Sequence, residues 1–258
     1  MILKELLDQS KTIGVISHIN PDADNLGSLT ALSQSLELYG KEVTRICIDS
    51  IPYNLEFLHG IDKVTDNWDT SFDMLFVLDT SSLDRLGKAK EVINNSKLVV
   101  NIDHHISNNL EADYSFLEVT ASSTGEVLFK FLKNMNLPID KNVADSLLTA
   151  ISGDSGSFRY DTVTSLTFDI ASELLSLGAD QKMINNKLYG MNRMSKIEMM
   201  GRAIERLKIF PEKKLALTYI LLDDFEELDA VNADIEGIVE YIRDIDGNQI
   251  PYQSALKL

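Results

Sequence analysis

The sequence predicts an α/β fold built on a parallel sheet, and three observations carry that expectation. Short apolar stretches rich in Val and Ile alternate with helical patterns through the first half of the chain, as parallel sheets require. Three of those stretches are followed at once by aspartates or histidines, and an open parallel sheet places its ligands just outside its strand ends. The 258 residues, 44% hydrophobic and 25% charged, suffice for one large domain or two modest ones with real cores.

Residues 12–16, 43–48, 73–78 and 97–102 read as strands. Between the first two, residues 24–39 carry Leu26, Leu29, Leu32 and Leu36 at helical spacing, and Gly40 supplies a C-terminal stop. Cys47, the single cysteine, cannot form an internal disulfide and reads as a buried strand residue between Ile46 and Ile48. After residue 120 the pattern turns helical over 122–134, 140–152, 165–177 and 180–188, helices expected to pack on or beside the sheet. A further helix over 195–207 precedes Phe210-Pro211-Glu212-Lys213-Lys214, a charged turn that marks a boundary. A strand over 215–222, a helix over 234–242 and a turn at 244–247 leading into a last strand complete the reading. Asp244-Ile245-Asp246-Gly247 is a plain turn, because its glycine falls too early for a calcium loop.

Composition narrows the function. With 24 Lys and Arg against 40 Asp and Glu, the formal net charge of −16 argues against a long duplex nucleic acid as partner. Small anionic substrates stay compatible, since bound divalent cations invert the local field. No stretch approaches the ~18 apolar residues of a membrane span, so no membrane partner is expected. The N-terminus mixes charges among its apolar residues and lacks a signal peptide's uninterrupted apolar region, which predicts a cytoplasmic location.

Three of the four histidines fall in the clusters that carry chemistry. His18, Asp22 and Asp24 follow the first strand, Asp79 the third, and Asp103-His104-His105 the fourth, while Asp154 follows the helix over 140–152. Carboxylates and imidazoles gathered at one edge repel or titrate unless cations hold them, and oxygen-plus-nitrogen ligation suits Mn, Fe, Co or Zn. A hard-cation hydrolase site is the expectation. Helix capping by Asp22 and Asp24 explains the first cluster about as well, but it leaves Asp79 and Asp103-His104-His105 unexplained. Adjacent histidines cannot point the same way, so one binds metal while the other faces substrate or a carboxylate. Gly153-Asp154-Ser155-Gly156 repeats the nucleophile tetrapeptide of trypsin-like proteases, yet one cysteine and an α/β pattern exclude that disulfide-rich barrel. Ser122, Ser123 and Thr124 open a helix, where they either cap it or offer donors to an anion. Arg159 is either a bidentate phosphate clamp or a surface ion pair.

Taken together, His-x-x-Pro-Asp-x-Asp-x-x-Gly-Ser at residues 18–28, the isolated Asp79, Asp103-His104-His105, and Asp154-Ser155-Gly156-Ser157-Phe158-Arg159 resemble the four motifs of the DHH phosphoesterase superfamily. The similarity runs in order from residue 1 to about residue 245 and is greatest to the nanoRNase/pAp-phosphatase type. It implies two divalent cations, Mn²⁺ foremost, that activate water: one held by His18, Asp22 and Asp79, the other by Asp24, Asp79, His104 and Asp154. It further implies catalytic roles for Asp79, Asp103 and His105 and substrate contact by His105, with Ser123 and Arg159 as further candidates. The implied substrates are very short oligoribonucleotides, dinucleotides such as pApA, or pAp, and a homodimer is compatible with the family. A manganese-dependent pyrophosphatase of the same superfamily and a catalytically weak, metal-binding nucleotide sensor are the alternatives.

The resemblance divides the chain into a DHH catalytic domain over 1–190, a linker helix over 191–211 and a partial, smaller DHHA1-like α/β domain over 212–258. Two departures from the family pattern matter. Pro21-Asp22-Ala23-Asp24-Asn25 replaces the usual Pro-Asp-Gly-Asp-Ala, a change between ligands that preserves metal binding. The chain reaches Leu258 without the Gly-Gly-Gly-His motif of the DHHA1 domain, so substrate recognition by that lobe is not carried over.

Overall fold

The computed structural model describes residues 2–68 and 71–245, which fall into two compact units, Met1–Leu188 and Tyr189–Leu258. In the first, helix α1 (Ile2–Gln9) leads to strand β1 (Thr12–Ile16), α2 (Ala23–Leu38), β2 (Glu42–Ile46), β3 (Val64–Thr65) and β4 (Met74–Leu78). There follow α3 (Glu91–Asn95), β5 (Val99–Asp103), β6 (Tyr114–Leu117), α4 (Thr124–Asn134), α5 (Lys141–Asp154), α6 (Ser165–Ser176) and α7 (Gln181–Asn185).

All six strands run parallel, in the order β3-β2-β1-β4-β5-β6. The chain winds outward from β1 in one direction and from β4 in the other, so the order reverses between these two neighbours. That is the switch point at which open α/β sheets form their crevice. The continuous apolar run of β4 reflects burial on both faces: Met74, Phe76 and Leu78 join one core cluster, Leu75 and Val77 another.

Helix α2 is buried from Asp24 to Leu36, because the sheet, α4 and α5 enclose it. Small residues permit that closeness. A side chain at Gly27 would begin 2.7 Å from the Ser146 carbonyl of α5, and one at Gly153 would meet Ala23 at 2.5 Å. Ala23 and Gly153 each adjoin an aspartate, so this contact sets Asp24 beside Asp154.

The structure differs from the sequence reading at six places. The N-terminal segment is a helix whose Leu3 and Leu7, four residues apart, are its buried face. β3 has only two residues, too few for a strand pattern, and β6 alternates half-buried and exposed positions at the sheet edge. The strand expected over 215–222 stops at Leu217, and the helix over 180–188 gives way to a π turn at Asn186–Gly190. Gly237, at φ 87°, splits the helix expected over 234–242.

In the second unit, α8 (Met194–Glu205) precedes the antiparallel pair β7 (Lys208–Phe210) and β8 (Leu215–Leu217), then α9 (Leu222–Glu227) and α10 (Ile238–Arg243). Met199 and Ala203 of α8 share a core with Ala216, Ile220, Ile238 and Ile242, so the helix read as a linker is part of this unit's packing. Asp246, Gly247 and the expected last strand lie outside the described residues. Among those described, no helix is long and apolar enough to cross a membrane.

Candidate metal centre

The carboxyl ends of β1, β4 and β5 deliver three of the clusters to one place, and α2, α4 and α5 close around them. His18, two residues past β1, is 1% exposed; its Nδ1 lies 2.7 Å from the Ile19 carbonyl and its Nε2 3.3 Å from Asp79 Oδ2. A carbonyl only accepts, so Nδ1 carries a proton, and Nε2 is the ring atom left to a cation among the aspartates. Asp22 caps α2 by accepting from the Asn25 N–H at 3.0 Å. One residue into α2, Asp24 accepts at both oxygens from the N-terminus of α4: Thr124 N–H at 2.6 Å and Gly125 N–H at 2.9 Å. Those are otherwise unsatisfied first-turn donors.

Asp79 occupies the left-handed region at φ 54° directly after β4. Its Oδ1 accepts from the Thr124 hydroxyl at 2.9 Å and lies 3.6 Å from His105 Nδ1. Asp103 ends β5, fully buried, and its Oδ1 accepts from His104 N–H at 2.8 Å and from His105 Nδ1 at 2.7 Å. The two imidazoles diverge at 64°. His104 turns Nδ1 toward the Ala121 carbonyl at 3.3 Å. Its buried Nε2 makes no hydrogen bond, yet sits 3.1 Å from Asp154 Oδ2, 3.7 Å from Asp24 Oδ2 and 3.9 Å from Asp79 Oδ1.

Charge in this space is frustrated. Burial, then the Asp79 and Asp154 carboxylates, push Asp22 up to about 7. Burial and the same neighbours hold Asp24 well above the ordinary carboxylate range. Burial pulls His104 down, but Asp154 and Asp79 outweigh it and raise the imidazole to about 9. Asp79 goes the other way: burial pushes it up, and His18, His105 and His104 together hold it low.

Among the described residues, three sets of side chains offer ligand atoms within 4.8 Å of one another: His18, Asp22 and Asp79; Asp24, His104 and Asp154; and Asp79, His104 and His105. A buried imidazole nitrogen without a partner, aimed at carboxylates that would otherwise hold protons, fits a divalent cation with oxygen and nitrogen ligands.

Every metal-ligand candidate from the sequence is thus gathered here, with Asp103 and His105 at its edge. Ser123 is not at the cleft: fully buried, it caps α4 by accepting from the Glu126 N–H at 3.1 Å. Arg159 is exposed, with its Nε donating to the Gly156 carbonyl at 2.7 Å, and it joins none of the three ligand sets. Thr124, Asn25, Asn108 and Arg85 touch the site's residues without having been singled out as its members. Thr124 stood in the Ser-Ser-Thr triplet, but the other three carry no local sequence signal.

A doubly wound parallel sheet with carboxylates and imidazoles converging at its switch point defines an α/β protein with a candidate hard-cation site. A model of the DHH family, N-terminal domain, matches residues 12–151, more than half of the chain, and the protein belongs to that family. It is 31% identical over 170 residues to the probable bifunctional oligoribonuclease and PAP phosphatase NrnA of Streptococcus mutans, covering 66% of this chain and 54% of that protein. The chain therefore spans about half the length of that relative. It is 24% identical over 239 residues to the bifunctional oligoribonuclease and PAP phosphatase NrnA of Bacillus subtilis, covering 92% of this chain and 75% of that one. Among solved structures, an exopolyphosphatase-related protein from Bacteroides fragilis superposes with a TM-score of 0.87 at 24% identity, over 96% of this chain and 76% of that one. That likeness is one of fold.

Proposed function

We propose that the protein is a phosphoesterase that hydrolyses very short oligoribonucleotides, dinucleotides such as pApA, and pAp, using two divalent cations, Mn²⁺ foremost. The observation that carries this reading is the position of Asp79, which belongs to two of the three ligand sets at once. His18, Asp22 and Asp79 would hold one cation, and Asp24, Asp79, His104 and Asp154 the other. Bound there, the pair would lower the pKa of a water and neutralise charge developing on the phosphate oxygens. The relatives named as oligoribonucleases and PAP phosphatases support the substrate class, and the net charge of −16 disfavours a long polyanion.

The chain's own groups do the positioning. The carbonyls of Ile19 and Ala121 take the Nδ1 protons of His18 and His104 and so fix Nε2 as the ligating atom of each. Asp103 acts through His105: its hydrogen bond to Nδ1 raises that imidazole above its ordinary pKa, so the ring keeps a proton to offer a substrate phosphate oxygen. The His105 side chain is 41% exposed and stands open to such a ligand.

The test is AMP release from pApA by the purified chain, with Mn²⁺ and with EDTA, comparing wild type with Asp79→Asn. Metal-dependent release that the variant lowers more than about a hundredfold, beyond the usual effect of outer contacts, is expected. Tight Mn²⁺ binding with no release would overturn the reading in favour of a nucleotide sensor, and release of phosphate from pyrophosphate alone would favour a pyrophosphatase.

A further inference from the structure

After β4 the chain forms a short 3₁₀ segment, Leu83–Lys90, whose first turn carries Arg85. The backbone fixes this turn against the site. Ile19 N–H donates to the Arg85 carbonyl at 2.7 Å, and Gly87, at φ 53°, leaves room for Ile48 and Ile19 where a side chain would begin 2.7 Å from the first and 2.9 Å from the second. Arg85 is half-buried, and its Nη2 lies 3.1 Å from His18 Nδ1.

That nitrogen already faces the Ile19 carbonyl at 2.7 Å. A guanidinium can only donate and a carbonyl can only accept, so one ring nitrogen cannot satisfy both. When His18 gives its Nδ1 proton to Ile19, leaving Nε2 for a cation, the guanidinium gains no hydrogen bond from the ring. It has no carboxylate to turn to either. In a chain with 40 acidic residues, Arg85 forms no ion pair with any described carboxylate, whereas Arg45 and Arg206 pair with Glu37 and Asp224.

The placement is also complementary to that of His105. Asp79 Oδ2 faces His18, with Arg85 on the far side of that ring, while Asp79 Oδ1 faces His105. The His105 imidazole and the Arg85 guanidinium therefore lie toward opposite ends of the Asp79 carboxylate, the latter beyond the His18 ring, and a planar guanidinium fork has the geometry that matches phosphoryl oxygens.

We propose that Arg85 is a substrate-contacting residue whose guanidinium binds the phosphate group presented to this site. The proposal rests on the phosphoesterase reading for its substrate, and its test separates the two. Steady-state hydrolysis of pApA with Mn²⁺ is measured for wild type, Arg85→Ala and Arg85→Lys, alongside calorimetric titration of each protein with Mn²⁺ alone. Loss of a charge-assisted hydrogen bond should raise KM about ten- to a hundredfold in Arg85→Ala, with Mn²⁺ affinity unchanged. Arg85→Lys should recover only part of that loss, because a point charge does not replace the fork. An unchanged KM, or a loss matched by weaker Mn²⁺ binding, would overturn the proposal and make Arg85 a prop for His18. If the wild type shows no turnover, inorganic phosphate is titrated into the Mn²⁺-loaded proteins. Phosphate binding that disappears in Arg85→Ala sustains the role of Arg85 although the phosphoesterase reading falls; equal binding, or none by the wild type, overturns it.

Discussion

Asp79 joins a strand position to a left-handed turn. Its N–H still donates to the Ile102 carbonyl at 3.0 Å, extending the sheet ladder, while φ 54° swings the carboxylate between His18 and the paired histidines. That conformation costs most residues about 1–2 kcal/mol but suits Asp and Asn, whose side chains tolerate it. Asp79→Asn should therefore unfold about 1 kcal/mol harder than Asp79→Ala in EDTA, although both lose turnover; chemical denaturation of the two variants checks this. Asn108 offers a second residue-level test. Its amide nitrogen donates to Asp103 Oδ2 and, at 2.8 Å, to Asn101 Oδ1, fixing the carboxylate that positions His105. Asn108→Ala should cost about 1–3 kcal/mol by leaving buried acceptors unpaired, and should lower kcat about ten- to a hundredfold. The aspartate and histidine clusters were legible because each is local in sequence. Arg85 was not, and Thr124 was readable only as a cap or an anion donor, since it reaches Asp79 across 45 residues and only the folded crossover brings them together.

At the scale of elements, the site depends on how closely α2, α4 and α5 approach. Gly27 and Gly125 both face Ala150 of α5, where added side chains would begin 2.9 Å and 2.6 Å from its Cβ. Gly27→Ala improves helix propensity by about 1 kcal/mol. The added methyl, however, would also meet the Ser146 carbonyl at 2.7 Å, and backbone does not yield as a flexible side chain does. Overpacking of about 1–3 kcal/mol should win. Because α2 carries Asp24 and α5 carries Asp154, the same change should weaken Mn²⁺ binding, and a variant that is more stable with unchanged Mn²⁺ affinity would contradict this account. The central strands and the helices between them were readable from their apolar periods, since burial on two faces imposes uninterrupted runs. The edge strand β6 was not, because only one side of each residue pair is covered there. The contact of Gly27 was equally hidden: its neighbours across the helix interface, Ser146 and Ala150, lie more than a hundred residues away in the chain.

At the scale of the whole molecule, the proposed metal binding would be coupled to folding through protons. Asp22 is raised to about 7 from an ordinary 3.8, so the folded, metal-free chain binds more protons than the unfolded chain between those values. Stability then falls as pH rises across that window. Asp24 is shifted in the same direction. His104, raised from 6.5 to about 9, contributes stability that is full below 6.5 and lost as pH climbs through 9. These groups agree in sign, so without metal the protein should lose stability steadily between pH 5 and pH 8. Asp79, held low, opposes them only as pH falls below the ordinary carboxylate value of 3.8. A bound cation reverses the slope: ligands must lose their protons to bind it, so affinity and the stabilisation it confers both grow with pH. Rising negative charge on an acidic chain would also destabilise it at high pH, but equally so in both media. The expected outcome is a Tm that declines from pH 5 to pH 8 in EDTA and holds or rises in excess Mn²⁺. The gap between the two curves should widen with pH in the wild type and collapse in Asp79→Asn. Parallel curves in thermal melts of the wild type would mean that these carboxylates are not the groups a cation relieves.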